Sequence, residues 1–411
     1  MIDIRALTDS DLPALRRIDD VAFGTTQSDA RWAAASPALE RDRQLGAFDA
    51  AELVGHAAAF THELTVPAGP DSGRVVPAAG VTWVMVSPTH RRRGVLRALM
   101  DEQLTSLHES GEAVATLWAS EPLIYPRFGY GLASRRLGLV VPRAHAALRG
   151  VPEQDVRLTI GAVADLREAC VSVYESVRRD RPGMVSRSAE AWTESSYDDT
   201  APGSGSSVLR CLVARDAAGA PVGYAWYQTK PSWDGGVPGG DVVVHEALAS
   251  TPAGRRAVLG FLLDVDLMAR TRFWNHPVDD ALVWMLADLR RAQPTLLDGL
   301  WVRLVRLDEA LAGRGYAEPV DVVLEVSDRT CPWNEGRWRL SAGADGAEVA
   351  RSSDPPDLAL DVCELGSAYL GDGTLLPAAE AGRVHEHTPG AARALHRAMR
   401  GERAPWCSYI F

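Results

Sequence analysis

Apolar positions along the chain switch repeatedly between two periods. In LPALRRIDDVAF, Leu12, Leu15 and Ile18 recur at helical spacing behind the capping residues Thr8, Asp9, Ser10 and Asp11, and residues 1 to about 45 predict two short helices. LGAFDA and LVGHAAAFTHELTV read as strands joined tightly at Ala51 and Glu52, and the Pro-, Gly- and Ser-rich run from Pro67 to Pro77 reads as a loop. VTWVMVSPTHRRRGVLRALM, from Val81 to Met100, then predicts a strand, a sharp basic turn and a helix from Arg91 to about Glu109. Val95, Leu96, Leu99, Met100, Leu104 and Leu107 share one face of that helix. ATLWAS is a further strand, and EPLIYPRFGYG leaves it through a short helix.

The basic turn is where chemistry first shows. A helix N-terminus offers unpaired N–H groups and the positive end of the dipole, and Gly94 lets the backbone approach an anion closely. Arg91, Arg92 and Arg93 there repel the dipole and one another, an arrangement that an anion relieves. The bland reading of the same turn is a solvated basic helix start.

The hydrophobic pattern of this region recurs. Without gaps, SPTHRRRGVLRALM (Ser87 to Met100) aligns with STPAGRRAVLGFLL (Ser250 to Leu263), matching Arg92 with Arg255, Arg93 with Arg256, Val95 with Val258 and Leu96 with Leu259. A hairpin precedes the copy too, in LRCLVARD and VGYAWYQTK, followed by the strand DVVVHEALAS. Gly254 and Ala257 stand in the copy where Arg91 and Gly94 stand in the original, which predicts a second unit that binds anions poorly or not at all. After Pro294 the pattern changes again. LWVRLVRLDEALAGRGY reads as strand then helix, VDVVLEV and GRWRLSAG as strands, and CELGSAYLG, LLPAAEAGRV and GAARALHRAMRG as helices.

Composition narrows the class. A chain of 411 residues predicts two to four domains, and 46% hydrophobic with 24% charged residues is globular. No leader or membrane-spanning run stands out, which predicts a cytoplasmic protein. A net charge of −11 disfavours nucleic acid and anionic membranes and favours a cationic acceptor. Cys170, Cys211, Cys331, Cys363 and Cys407 are widely spaced, which predicts free, mostly buried thiols. No metal site is expected: His385-Glu386-His387 has no third ligand at convincing spacing and reads as a surface loop. His62-Glu63 could hold a water-mediated base, with a cross-strand surface pair as the default.

The strand order, the RxxG turn and the YxxxGY ending at Tyr125 resemble the GNAT acetyltransferases, with Leu96 departing from the family's small residue. The whole three-part chain, with RRRGVLRALM and the ending APWCSYIF, resembles the Eis family of N-acetyltransferases. The resemblance implies an α/β (α+β) fold class: two tandem GNAT-like domains, at 1–150 (catalytic) and 151–297 (degenerate), followed by a sterol-carrier-protein-like domain at 298–411. It implies acetyl-CoA as donor, a homo-oligomer, commonly a hexamer, and direct transfer to a primary amine of a cationic small molecule or peptide. Aminoglycosides, polyamines and lysine-bearing acceptors all fit. The other readings are a protein or peptide lysine acetyltransferase without antibiotic activity, and a non-catalytic acyl- or lipid-binding protein.

Residue by residue, the resemblance assigns Arg91, Arg92 and Gly94 to the pyrophosphate and the backbone of Val84, Met85 and Val86 to the pantetheine arm and acetyl oxygen. Ser120 contacts the cofactor in this reading, with an N-cap as its alternative. Tyr125 becomes the acid for the departing thiolate, and Tyr130 packs. Phe23 and Trp32 line the acceptor pocket, ordinary helix packing being their alternative. The α-carboxylate of Phe411 becomes the base for the amine, against the alternative of a frayed tail. Trp406, Tyr409, Ile410 and Phe411 would be costly to leave in water, which favours a seated tail.

Overall fold

Glu52–Val66 is a strand of 15 residues, buried almost continuously over its first half. Its alternating positions serve two cores. Val54 and Ala57 pack with Val95 and Leu99 of the helix Val95–Glu109, whereas Leu53, Ala58 and Phe60 pack with Leu15 and Ile18 of the helix Leu12–Phe23. Helices therefore cover both faces of the sheet, which explains the near-continuous apolar run. The computed structural model describes residues 2–69, 73–150, 155–200, 204–343 and 346–411.

The first sheet has seven strands in the order Ile2–Ala6, Gln44–Asp49, Glu52–Val66, Arg74–Val86, Val114–Trp118, Leu300–Leu304 and Gly131–Leu132. The second, also of seven, runs Thr295–Asp298, Arg135–Pro142, Met268–Pro277, Gly240–Ala249, Pro221–Lys230, Arg210–Arg215 and Arg157–Gly161. Each thus contains a strand that belongs, in sequence, beside the other. Ser134 sits at the crossing: its hydroxyl accepts from Leu300 N at 2.8 Å and its carbonyl from Gly299 N at 2.9 Å. The third unit carries a five-stranded sheet and the helices Val362–Ala368, Leu375–Glu380 and Ala391–Met399. A Cβ on Gly131 would lie 2.0 Å from the Cys363 carbonyl, so glycine there lets the first sheet touch the third unit. The buried pair Arg303–Asp328, with two N–H···O contacts of 2.8 Å, fastens the same junction.

Several local expectations change in the folded chain. Ile2–Ala6 is a strand, completed by pairing with Gln44–Asp49 rather than by its own apolar pattern. The predicted loop at Pro67–Pro77 is shorter, because Val75 and Val76 pair with Thr65 and Leu64; its residues 70–72 lie outside those described. LLPAAEAGRV is helical only over Leu375–Glu380, and Val384–Glu386 instead adds an edge strand to Leu358–Asp361. The five cysteines are free and buried. Among the described residues no helix is long and apolar enough to cross a membrane.

Candidate active site

The helix predicted from Arg91 begins at Val95, because the turn before it is left-handed at two places: φ is +62° at Arg92 and +86° at Gly94. No side chain caps this helix, so its first N–H groups stay open to a ligand. Arg91, Arg92 and Gly94 are exposed, and among the described residues neither Arg91 nor Arg92 has an ion-pair partner. Arg93 differs, reaching back to Asp49 at 3.0 Å and so pinning the turn to the sheet. Leu96 is half-buried beside the cluster that contains Tyr125 and Phe128. Two positive-φ residues, free N–H groups and unspent guanidinium charge fit a pyrophosphate.

Beside the turn the sheet opens. Arg74–Val86 runs parallel to Val114–Trp118 only over Ala79–Val81, and the pairing stops at Val81 with Leu117. Thr82 to Val86 therefore continue with one backbone edge unpaired toward the gap. The side chains of Val84 and Val86 pack beside the helix Val95–Glu109, and Met85 packs on the opposite face. On the other edge the ladder is interrupted by a bulge at Trp83, whose φ is +51°. His56 secures that bulge: its Nδ1–H donates to the Trp83 carbonyl at 2.9 Å. Complete burial pushes the imidazole down to about 4, so it is neutral.

Tyr125 opens the short helical turn Tyr125–Phe128, in the core on the Val95–Glu109 face. Its ring is 6% exposed, and its hydroxyl reaches the surface without a protein hydrogen bond among the described residues, whereas the Tyr130 hydroxyl is sealed in and unpaired. Burial, helped by Glu121, raises the Tyr125 phenol to about 12, which keeps it protonated. Ser120 lies exposed after Trp118; the residue preceding the turn is Ile124, so Ser120 does not cap it.

The chain end arrives on the other face. Phe411 packs beside the cluster of Leu15, Ile18, Phe60 and Met85, where Trp32 and Trp83 also stand, with Trp32 and Trp83 rings 5.8 Å apart. Its ring meets His62 edge-on at 4.9 Å and Tyr409 at 5.7 Å. Trp118 Nε1–H donates to the Tyr409 carbonyl at 2.9 Å. The tail is seated and not frayed. Phe23 instead ends its helix 48% exposed and outside this cluster.

His62 is not the surface residue the pattern suggests. It is 5% exposed, and burial holds it near 3, hence neutral, while Glu63 points outward to Arg178. Gly80 makes room for it, since a Cβ there would lie 2.4 Å from the His62 ring. Trp83, Phe60 and Trp118 stand beside the chain end and escaped sequence reading. Aromatic residues inside strands carry no signal that separates a cleft wall from core.

The second copy of the basic turn is closed. The Thr251 hydroxyl caps the helix Pro252–Leu263 by accepting from Gly254 N at 3.1 Å. Arg255 is engaged by Asp280 at 3.0 Å, and Arg256 donates to the carbonyls of Arg149 and Gly150 at 2.6 and 2.9 Å.

The chain matches the acetyltransferase (GNAT) domain over residues 3–133, a second acetyltransferase (GNAT) domain over 183–307 and the sterol carrier protein domain over 307–408. N-acetyltransferase Eis of Mycobacterium tuberculosis is 34% identical over 371 residues, spanning 87% of this chain and 85% of that protein. The chain belongs to the Eis family of GNAT N-acetyltransferases. An uncharacterized N-acetyltransferase of Streptomyces avermitilis is 42% identical over 374 residues, 90% of either chain. The crystal structure of Eis1 from Mycobacterium abscessus superposes with a TM-score of 0.83 at 32% identity, covering both chains in full. As an Eis-family member the chain is an acyltransferase of mixed α/β fold, with two GNAT domains and a sterol-carrier-like third, as its sequence predicts.

Proposed function

We propose that this chain transfers the acetyl group of acetyl-CoA directly to a primary amine of a cationic acceptor, an aminoglycoside, polyamine or lysine-bearing peptide. One observation carries the reading. Tyr125 lies on one face of the parted strand Arg74–Val86 and Phe411 on the other, so a thioester held at the gap would have a proton donor behind it and an acceptor residue in front.

Acetyl-CoA, when bound, supplies the activated acyl group. The residues of the chain divide the remaining work. Arg91, Arg92 and the N–H groups after Gly94 hold the pyrophosphate, and Ser120 lies at the exit of the neighbouring strand. The free backbone of Val84, Met85 and Val86 holds the pantetheine arm and donates to the acetyl oxygen as it gains charge. The Phe411 α-carboxylate attracts the ammonium and takes one proton, which frees the lone pair; nitrogen then bonds to the carbonyl carbon, Tyr125 gives a proton to sulfur as the C–S bond breaks, and the second nitrogen proton leaves to solvent, which also reprotonates Tyr125. A carboxylate near 3.5 facing an ammonium near 10.4 is mismatched by about 7 units, about 9 kcal/mol. Trp32, Trp83 and Phe60 narrow that gap by desolvating the ammonium.

The acceptor enters beside Ile410, where a cavity of ≈ 330 Å³ is lined by Asp199, His245 and Trp274, the carboxylates of Glu194 and Glu246 on its wall being held by Arg31 and Arg187. A free carboxylate and an indole suit a cation. Phe23, exposed at the end of its helix, would meet the acceptor from outside the cluster around Phe411. The domain limits 1–150, 151–297 and 298–411, assembly into hexamers and a cytoplasmic setting complete the proposal. Thiol release from acetyl-CoA in the presence of aminoglycosides, polyamines and lysine peptides tests it. Turnover with at least one class is expected; none, with acetyl-CoA bound normally in calorimetry, would overturn the choice of acceptor.

A further inference from the structure

The second unit lacks an open anion turn among the described residues, yet its opposite face carries a cation box. Arg187, between the helices Val163–Asp180 and Ala189–Ser195, has a side chain only 1% exposed. Its two terminal nitrogens donate to Glu246 at 2.5 and 3.2 Å, and Glu246 also accepts from the Tyr224 hydroxyl at 2.8 Å. The rings of Tyr174, Tyr409, Trp192 and Trp226 surround the guanidinium at 4.2, 4.6, 4.8 and 5.9 Å. Aromatic walls over a carboxylate floor are how proteins hold cationic ligands. Here the box is filled by the chain's own arginine.

Two contacts lead from the box to the tail. Arg187 Nη2 donates to the Ser408 hydroxyl at 3.2 Å, and Tyr409 is itself one wall. The same unit grips the tail upstream. Asn275 donates to the Cys407 carbonyl at 3.0 Å and accepts from Trp406 Nε1 at 2.7 Å. Asp279 accepts from Ala404 N at 3.1 Å and from Arg181 at 2.7 Å, and Arg181 donates to the Ala404 carbonyl at 2.8 Å. Beyond Tyr409, Ile410 and Phe411 make no hydrogen bond to another described residue, so the last firm anchor before the terminus is the box and the Trp118 bond at Tyr409.

We propose that Arg187 is a positioning residue: the cation box of the second unit serves as a socket that fixes Tyr409 and thereby sets where the Phe411 α-carboxylate stands. The inference rests on that carboxylate being the proton acceptor. Phe411 stands two positions beyond Tyr409, about 7 Å of extended chain, so a shift at the box reaches the terminus. Lysine cannot replace the arginine here, because one ammonium lacks the planar fork for Glu246 and the flat faces for the rings.

The experiment is a cycle of four proteins: wild type, Arg187→Lys, wild type extended by two glycines after Phe411, and the two changes combined. kcat is measured with an acceptor that wild type turns over, and acetyl-CoA affinity by calorimetry. Arg187→Lys is expected to lower kcat on the order of 100-fold, the cost of a misplacement near 1 Å, with acetyl-CoA affinity within about twofold of wild type. The extension alone is expected to lower kcat on the order of 1000-fold, to a residual rate that can still be measured, and the combination is no worse than the extension, because both act through one group. Losses that multiply, or full kcat in Arg187→Lys, would overturn the role of Arg187 while leaving the carboxylate reading intact. Full kcat in the extended protein would overturn the carboxylate reading itself. Should Arg187→Lys fail to bind acetyl-CoA, the charge-neutral pair Arg187→Met with Glu246→Gln decides: wild-type kcat there refutes the proposal, and a kcat loss absent from the extended background supports it.

Discussion

Trp118 Nε1–H donates to the carbonyl of Tyr409 at 2.9 Å, a bond between residues 291 positions apart. It joins the strand flanking the parted sheet to the last anchored residue of the tail, so the opening in the first unit and the chain end are set relative to each other. Trp118→Phe keeps the packing and leaves that carbonyl only the Cys407 thiol, at 3.1 Å, a loss of about 1 kcal/mol. A roughly 10-fold fall in kcat with acetyl-CoA affinity unchanged is the expected result, read by steady-state kinetics and calorimetry.

The two copies of the basic turn should respond oppositely to the same substitution. Arg92→Ala removes an unpaired charge from the open turn, and acetyl-CoA affinity should fall about 10-fold, with a weaker dependence on salt. Arg255→Ala, its counterpart, takes a partner from the buried Asp280 and should cost about 2 kcal/mol in urea unfolding without altering acetyl-CoA affinity.

Tyr125 and Tyr130 lie with rings 5.9 Å apart, yet of the two only the Tyr130 hydroxyl is sealed in and unpaired. Tyr125→Phe should lower kcat by 10² to 10⁴, the usual worth of a general acid, and Tyr130→Phe by less than about threefold. Since burial and Glu121 hold Tyr125 near 12, kcat should show no loss assignable to its ionisation below about pH 11.

His56 and His62 link stability to acid. Both are held neutral by burial, near 4 and near 3, against about 6.5 in the unfolded chain. Between pH 6.5 and 4 the unfolded state therefore binds protons that the native state does not, so stability is full above 6.5 and falls as pH falls. For His56 alone the loss is about 3 kcal/mol at pH 4. Urea midpoints measured across that window should decline steeply, and His62→Phe, which removes one titrating group from a site walled by Phe60 and Phe411, should flatten the decline.

The sequence by itself determined the basic turn, its altered repeat, the three-part order and the aromatic chain end, because each is written in local spacing: an RxxG turn before an amphipathic helix, a gapless repeat, and apolar residues too many to leave in water. Tertiary structure decided what those spacings cannot carry. Pairing that stops at Val81 and Leu117, the bulge at Trp83 held by His56, the exchange of Arg135–Pro142 for Leu300–Leu304, and the seating of Tyr409 in the Arg187 box all join residues far apart along the chain. A buried histidine and a surface histidine look alike in an alternating strand, as His62 shows, and burial depends on what arrives from the rest of the chain. For His62 that is the ring of Phe411, 349 residues further on.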